Sequence, residues 1–178
     1  MKQLVIVEGP TAVGKTTLIA RIMEAEPALR QGPHRPAPNA ALAWHPRDLM
    51  SWYVEALDTP MPCILDRWVY SNHVYSALFQ NQVRVPSACL EETMRHQKLK
   101  VVVLFLTASP GLLYSRIQKR DKPCVPKDAG TIKNLIATVD RFEQEFKTCG
   151  LPKVGIRCDD EGLDSGASLR KALKAIRS

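Results

Sequence analysis

Leu4-Val5-Ile6-Val7-Glu8-Gly9-Pro10-Thr11-Ala12-Val13-Gly14-Lys15-Thr16-Thr17 opens the chain and decides its fold. An unbroken run of branched apolar residues is the pattern of a strand buried on both faces, which belongs to a parallel sheet. The run ends in Gly-x-x-x-x-Gly-Lys-Thr, Gly9 to Thr16, and a helical pattern follows from about Lys15 to Ala25. The glycines let the backbone curl until successive N–H groups point inward as an anion nest. The positive end of the following helix strengthens that field. Gly9, Pro10, Thr11, Ala12, Val13, Gly14, Lys15, Thr16 and Thr17 are therefore the expected phosphate-binding residues. Lys15 is placed to reach the β- and γ-phosphates and the Thr16 hydroxyl to hold Mg2+, so ATP with Mg2+ is the expected donor.

Outward from this stretch, strands and helices alternate. Strands are expected at Lys2–Glu8, Cys63–Asp66, Lys100–Leu106 and Lys153–Cys158. Helices are expected at about Ala40–Leu57, with Pro46 a kink or break, and at Trp68–Phe79, Ser87–Gln97, Pro110–Arg120, Ile132–Lys147 and Ser165–Ile176. Ser109 reads as the cap of the helix that Pro110 begins. The Pro-rich segment Gln31–Asn39 is a rigid loop or a damaged second strand. The reading is one α/β domain over residues 1–178: a three-layer P-loop NTPase fold with about five parallel strands, helices on both faces and a basic lid near residues 119–130. Ligands of such folds bind at the carboxyl ends of the strands, where Glu8–Lys15 and Asp66-Arg67 both fall.

Asp66-Arg67-Trp68 ends the second long strand. Many P-loop ATPases carry Asp-Glu there, the Glu activating water. Arginine does not activate water but clamps phosphate bidentately, which favours transfer to an acceptor over hydrolysis. The plain alternative makes Asp66 a helix cap and Arg67 a first-turn residue.

The motifs together resemble the thymidylate kinase family. Val7-Glu8-Gly9 through Gly14-Lys15-Thr16-Thr17 is similar to that family's phosphate loop, EGxxGxGKTT. Asp66-Arg67-Trp68-Val69-Tyr70-Ser71-Asn72-His73-Val74-Tyr75 resembles its DRYxxSxxAY signature, and Ser109-Pro110 with Arg116 and Arg120 resembles the helix entering its lid. The resemblance implies that Asp66 assists Mg2+ or the reacting group and that Arg67 holds the acceptor. It implies that Tyr75 and Trp68 line a pyrimidine pocket and that Arg116 and Arg120 serve the lid. It also makes a homodimer an expectation. The phosphate loop has no arginine of its own, so Arg116, Lys119, Arg120 and Lys122 are the expected further cations. The family's Arg-Glu-Pro-Gly element is absent. His34-Arg35-Pro36 stands in its region, with Arg35 the expected phosphate contact, and Ser76 replaces the usual Gln. The acceptor site is therefore expected to be remodelled.

Charge bears on the acceptor. The chain has 178 residues and a formal charge of +7. From Arg95 to Lys127 there are eight Lys or Arg against the single acid Asp121, which suggests a polyanionic partner. The chain is also similar to a compact phage branch of the family that phosphorylates 5-hydroxymethyluracil within DNA. The expected acceptor is accordingly that hydroxymethyl group in DNA, with free dTMP the alternative and a non-kinase ATPase more remote. A GTPase would need an Asn-Lys-x-Asp motif, and none is present. The odd count of five cysteines, with no CxxC pair, reads as reduced thiols. No apolar run approaches the length of a membrane span and Glu8 cuts the first one short, so the expected compartment is the cytoplasm.

Lys15→Ala should leave the protein folded and lower kcat for phosphoryl transfer about a hundredfold or more, because it removes a cation from charge that grows in the transition state. Steady-state turnover with a thermal melt of the same variant checks both halves.

Overall fold

The computed structural model describes residues 2–33, 46–79, 85–120, 127–159 and 166–178, without the side chains of 46–48 and 127–128. In chain order the elements are β1 (Gln3–Glu8), α1 (Lys15–Ala25), β2 (Arg30–Gln31), α2 (Pro46–Asp58), β3 (Cys63–Asp66), α3 (Val69–Phe79), α4 (Ser87–His96), β4 (Lys100–Thr107), α5 (Pro110–Gln118), α6 (Ile132–Thr148), β5 (Lys153–Arg157) and α7 (Ala167–Arg177). The five strands form one parallel sheet in the order β2-β3-β1-β4-β5.

β1 sits at the centre because it can be buried on both faces. Leu4 and Ile6 point into one apolar layer with Trp52 and Tyr53 of α2, Val74 of α3, Leu90 and Met94 of α4 and Phe142 of α6. Val5 and Val7 point into the other, against Leu18 and Ile22 of α1, Leu113 of α5, Leu135 of α6 and Ala172 and Ile176 of α7. The three-layer architecture is thus present. Among the described residues no helix is long and apolar enough to cross a membrane.

Several boundaries settle on physical grounds. The second strand is Arg30–Gln31, just ahead of the Pro-rich segment: Arg30 N donates to Pro62 O and Gly32 N to Ile64 O, after which Pro33 has no N–H to offer the ladder. Pro46 is the first described residue of α2, and Ala40–His45 lies outside the described residues. Ser109 accepts from Leu112 N with Pro110 at the first helical position, as the local pattern requires. Cys63, Cys149 and Cys158 are buried thiols, Cys63 pushed up to about 11 by burial, whereas Cys89 is exposed on α4.

The strand order places β1 between β3 and β4, the position at which crossovers diverge to either side and a crevice opens at the carboxyl ends. Val7 pairs with Asp66, so the two chemistry-bearing turns leave the sheet side by side. The basic block divides instead. Arg95, Lys98 and Lys100 lie around the amino end of β4, while Arg116 and Arg120 follow its carboxyl end. β4 starts at Lys100 itself and runs seven residues further, roughly 23 Å at about 3.3 Å per residue.

Trp68 belongs to the core. It is wholly buried, with ring centroids 4.7 Å from Tyr53 and 5.9 Å from Trp52. That corrects its expected place in a base pocket: both neighbours come from α2 and leave no ring surface open to a ligand. Trp68→Ala should cost about 3–5 kcal/mol of stability, with Trp68→Phe recovering much of it. Denaturant midpoints measure this, and the acceptor KM of the folded Phe variant should stay near wild type.

Candidate active site

The phosphate-binding loop takes its shape from left-handed backbone at Gly9 (φ 144°), Ala12 (φ 67°) and Gly14 (φ 103°). A Cβ at Gly9 would collide with the Leu106 carbonyl of β4, so the loop can leave β1 this tightly only with glycine there. Lys15 is buried to 7% exposure, and its Nζ donates to Gly9 O (3.0 Å) and Pro10 O (2.7 Å). Burial and the nearby Arg67 charge hold the Lys15 ammonium well below the usual lysine range, against the pull of Asp66 and Glu8.

Thr11, Ala12, Gly14, Lys15, Thr16, Thr17, Asp66, Arg67 and Arg120 line one polar cavity of about 160 Å3. A groove of about 260 Å3 also lies between α6 and the β4–β5 edge, but its walls are mainly Phe105, Phe142 and Phe146 and offer little to a charged ligand. Polarity therefore selects the smaller cavity as the site.

Asp66 does not cap a helix. Its Oδ1 is buried without a hydrogen-bond partner. A buried carboxylate oxygen left open costs free energy unless something meets it. With the Thr16 hydroxyl in the same cavity, the pair supplies two hard oxygen donors of the kind Mg2+ takes, with the remaining ligands left to phosphate and water. The donor set fits that cation. Among the described residues no cluster of three or more His, Cys, Asp or Glu offers a self-contained metal cage.

Arg67 is no ordinary first-turn residue either. Its φ is 78°, and its N–H extends the β1–β3 ladder onto Val7 O at 2.9 Å. Its Nη1 donates to Gly9 O (3.2 Å) and Ser71 Oγ (2.8 Å), and its guanidinium lies 5.3 Å from the centre of the Tyr75 ring. Burial opposes its charge, but Tyr75, Glu8 and Asp66 outweigh that and keep the Arg67 pKa raised. The Tyr75 hydroxyl and Thr11 Oγ1 are 3.1 Å apart, which ties α3 to the phosphate loop.

The two lid arginines part company. Arg120 lines the cavity. Arg116 instead reaches main-chain oxygens: its Nη1 meets the carbonyls of Ala12 (3.5 Å) and Val13 (3.4 Å), and its Nη2 that of Cys158 (3.3 Å). Those contacts place the guanidinium between the phosphate loop and the end of β5, and Arg116 is not among the residues that line the polar cavity. Arg35 and residues 121–126 of the expected lid, Lys122 included, lie outside the described residues.

Glu8 is the residue that sequence reasoning leaves without a role. It is fully buried and accepts hydrogen bonds from the start of α3. The available signal is an acid at the end of an otherwise apolar strand.

No family model and no curated protein matches the chain. Solved structures do. The YorR protein of Bacillus subtilis in complex with phosphorylated GDP superposes with a TM-score of 0.75 at 20% identity, over 98% of this chain and 94% of that one. The deoxyadenosine kinase of M. mycoides with bound dATP gives 0.65 at 14%, over 99% and 100%. A gluconokinase from Sinorhizobium meliloti gives 0.61 at 19%, over 99% and 92%. The chain has the P-loop kinase fold. At these identities the likeness speaks for the fold, and the P-loop kinase fold as such is shared by nucleoside and sugar kinases alike.

Asp66→Asn should lower stability modestly, since its carboxylate offsets the Lys15 and Arg67 charges although Oδ1 has no hydrogen-bond partner to lose. It should raise the Mg2+ concentration for half-maximal turnover about tenfold or more, the usual scale for disturbing a metal's surroundings. A Mg2+ titration of the rate beside a melting curve measures both.

Proposed function

We propose that the protein is an ATP- and Mg2+-dependent kinase whose acceptor is a free pyrimidine nucleoside or its monophosphate. One observation carries the reading: a single cavity joins Lys15, Thr16, Asp66, Arg67 and Arg120 from three separate stretches of chain. The loop N–H groups and the α1 terminus bind the donor's phosphates. Lys15, Arg67 and Arg120 surround the transferring group with positive charge where negative charge develops. Mg2+, held by Thr16 and Asp66, would neutralise the phosphates and fix their orientation. Arg67, standing where a hydrolase would place a water-activating Glu, directs the group to an acceptor instead of water. ATP as donor is supported by the loop motif and by the nucleotide ligands of the YorR and deoxyadenosine kinase structures.

The pyrimidine acceptor rests on the thymidylate-kinase-like signature, with Tyr75 packed against Arg67, which lines the cavity. A DNA acceptor loses its main support. Its argument is the resemblance to the phage branch together with the basic block, and three of that block's cations stand at the far end of β4. Arg95 there pairs with Glu92 at 2.8 Å and lies 3.7 Å from Glu91. Affinity for a polymer needs cations that follow its phosphates, and among the described residues of the block Arg95, Lys98 and Lys100 stand apart from the cations at the cavity.

The test offers γ-labelled ATP with dTMP, thymidine, plain DNA and 5-hydroxymethyluracil DNA in parallel. Label is expected on the soluble acceptor, with a shallow salt dependence of KM that neutralising Lys98 and Lys100 together does not change. Label on DNA alone would overturn the acceptor, and ATP hydrolysis on DNA without labelled product would overturn the kinase.

A further inference from the structure

Glu8 faces donors on both oxygens. The main-chain N–H groups of Trp68 (2.6 Å) and Ser71 (3.0 Å) meet Oε1, and the Ser71 hydroxyl donates to Oε2. Those N–H groups belong to the entry of α3, whose first turn has no partners of its own. A carboxylate from β1 therefore caps a helix far along the chain and meets its positive end.

The chain of contacts continues. Ser71 Oγ, while donating to Glu8, accepts from Arg67 Nη1 at 2.8 Å, and the same Nη1 reaches Gly9 O at 3.2 Å. A closed ring results: the Glu8 carboxylate, the Ser71 hydroxyl, the Arg67 guanidinium and the Gly9 carbonyl, returning to Glu8 through the adjoining peptide. Arg67 needs such a constraint. Its φ of 78° is strained for a residue with a Cβ, and conformations of that kind persist only where the surroundings over-determine them.

We propose that Glu8 is the positioning residue for Arg67, holding its guanidinium through Ser71 at the wall of the phosphate cavity; the proposal rests on the kinase reading above. The charged neighbours are Arg67 and Asp66 from the β3–α3 turn and Lys15 from α1, and Glu8 acts on both cations. Burial pushes the Glu8 carboxyl up, while the Ser71 hydroxyl and the Arg67 charge pull it back down. A helix cap requires only an accepting oxygen. Orienting a guanidinium by charge requires the carboxylate, because hydrogen bonds with an ionised partner are roughly twice as strong.

Glu8→Gln separates the two roles. The amide carbonyl still accepts from Trp68 and Ser71, so the cap survives, and the charge is gone. The expected result is a fall in kcat of about tenfold or more, on the scale of losing one charge-assisted bond. The KM for ATP should stay within about twofold, since the loop's own N–H groups and helix terminus hold the donor. The protein should still fold, with a lowered melting temperature because two cations lose a charge partner, and the Arg67 Nε–Hε resonance should move toward its position in an unstructured chain. Ser71→Ala, which keeps the charge and breaks the relay, should move kcat and the resonance the same way. Wild-type kcat with an unmoved resonance in Glu8→Gln would reduce Glu8 to a helix cap and overturn the proposal. If Glu8→Gln does not fold, the same two readings on Ser71→Ala decide it. If the wild type labels no acceptor, the kinase reading fails, and the Arg67 resonance still tells whether Glu8 holds the guanidinium.

Discussion

Everything at the site hangs on the parallel pairing of β1 with β3. Val7 stands opposite Asp66, and the ladder runs one bond further through Arg67 N to Val7 O. That last bond fixes where β3 stops and makes the chain turn at a left-handed residue. Shifting the register by one residue would send Asp66 to the other face of the sheet and away from Thr16. The nucleotide-binding loop and the Asp-Arg turn are thus one unit, although neither sequence motif refers to the other.

The second constraint is charge. Lys15 and Glu8 are buried and Arg67 is half-buried within a few side chains of them, with Asp66 beside them. Unpaired charges in such surroundings would be prohibitive. Here two cations and two carboxylates share the space, and the donors left over face the cavity that phosphate would enter. Lys15, whose Nζ donates to the Gly9 and Pro10 carbonyls, gives an incoming polyphosphate a cation to recruit.

What the sequence makes legible follows from how local each signal is. The strand, loop and helix from Leu4 to Ala25 are readable because apolar run, glycines and Lys-Thr lie within one short stretch. Ser109-Pro110 is readable for the same reason. Trp68 looks like a pocket residue from its place in a signature, but its burial depends on Trp52 and Tyr53 arriving from α2. Arg116 looks like a lid residue, yet its partners are main-chain carbonyls, which no side-chain pattern records. The basic block is continuous in the sequence and split in space because β4 runs through its middle. Glu8 escapes because its partners are a helix terminus and a serine on another element, joined to it only by the register of the sheet.

The most direct measurement is a crystal structure with Mg2+ and the β,γ-imido analogue of ATP. The expected result places the β- and γ-phosphates in the cavity between Gly9–Thr17 and Asp66-Arg67, with Lys15 Nζ moved from the loop carbonyls onto phosphate and the cation beside Thr16 and Asp66. An analogue bound outside this cavity, or one whose γ-phosphate points away from Arg67 and Asp66, would contradict the assignment of the site.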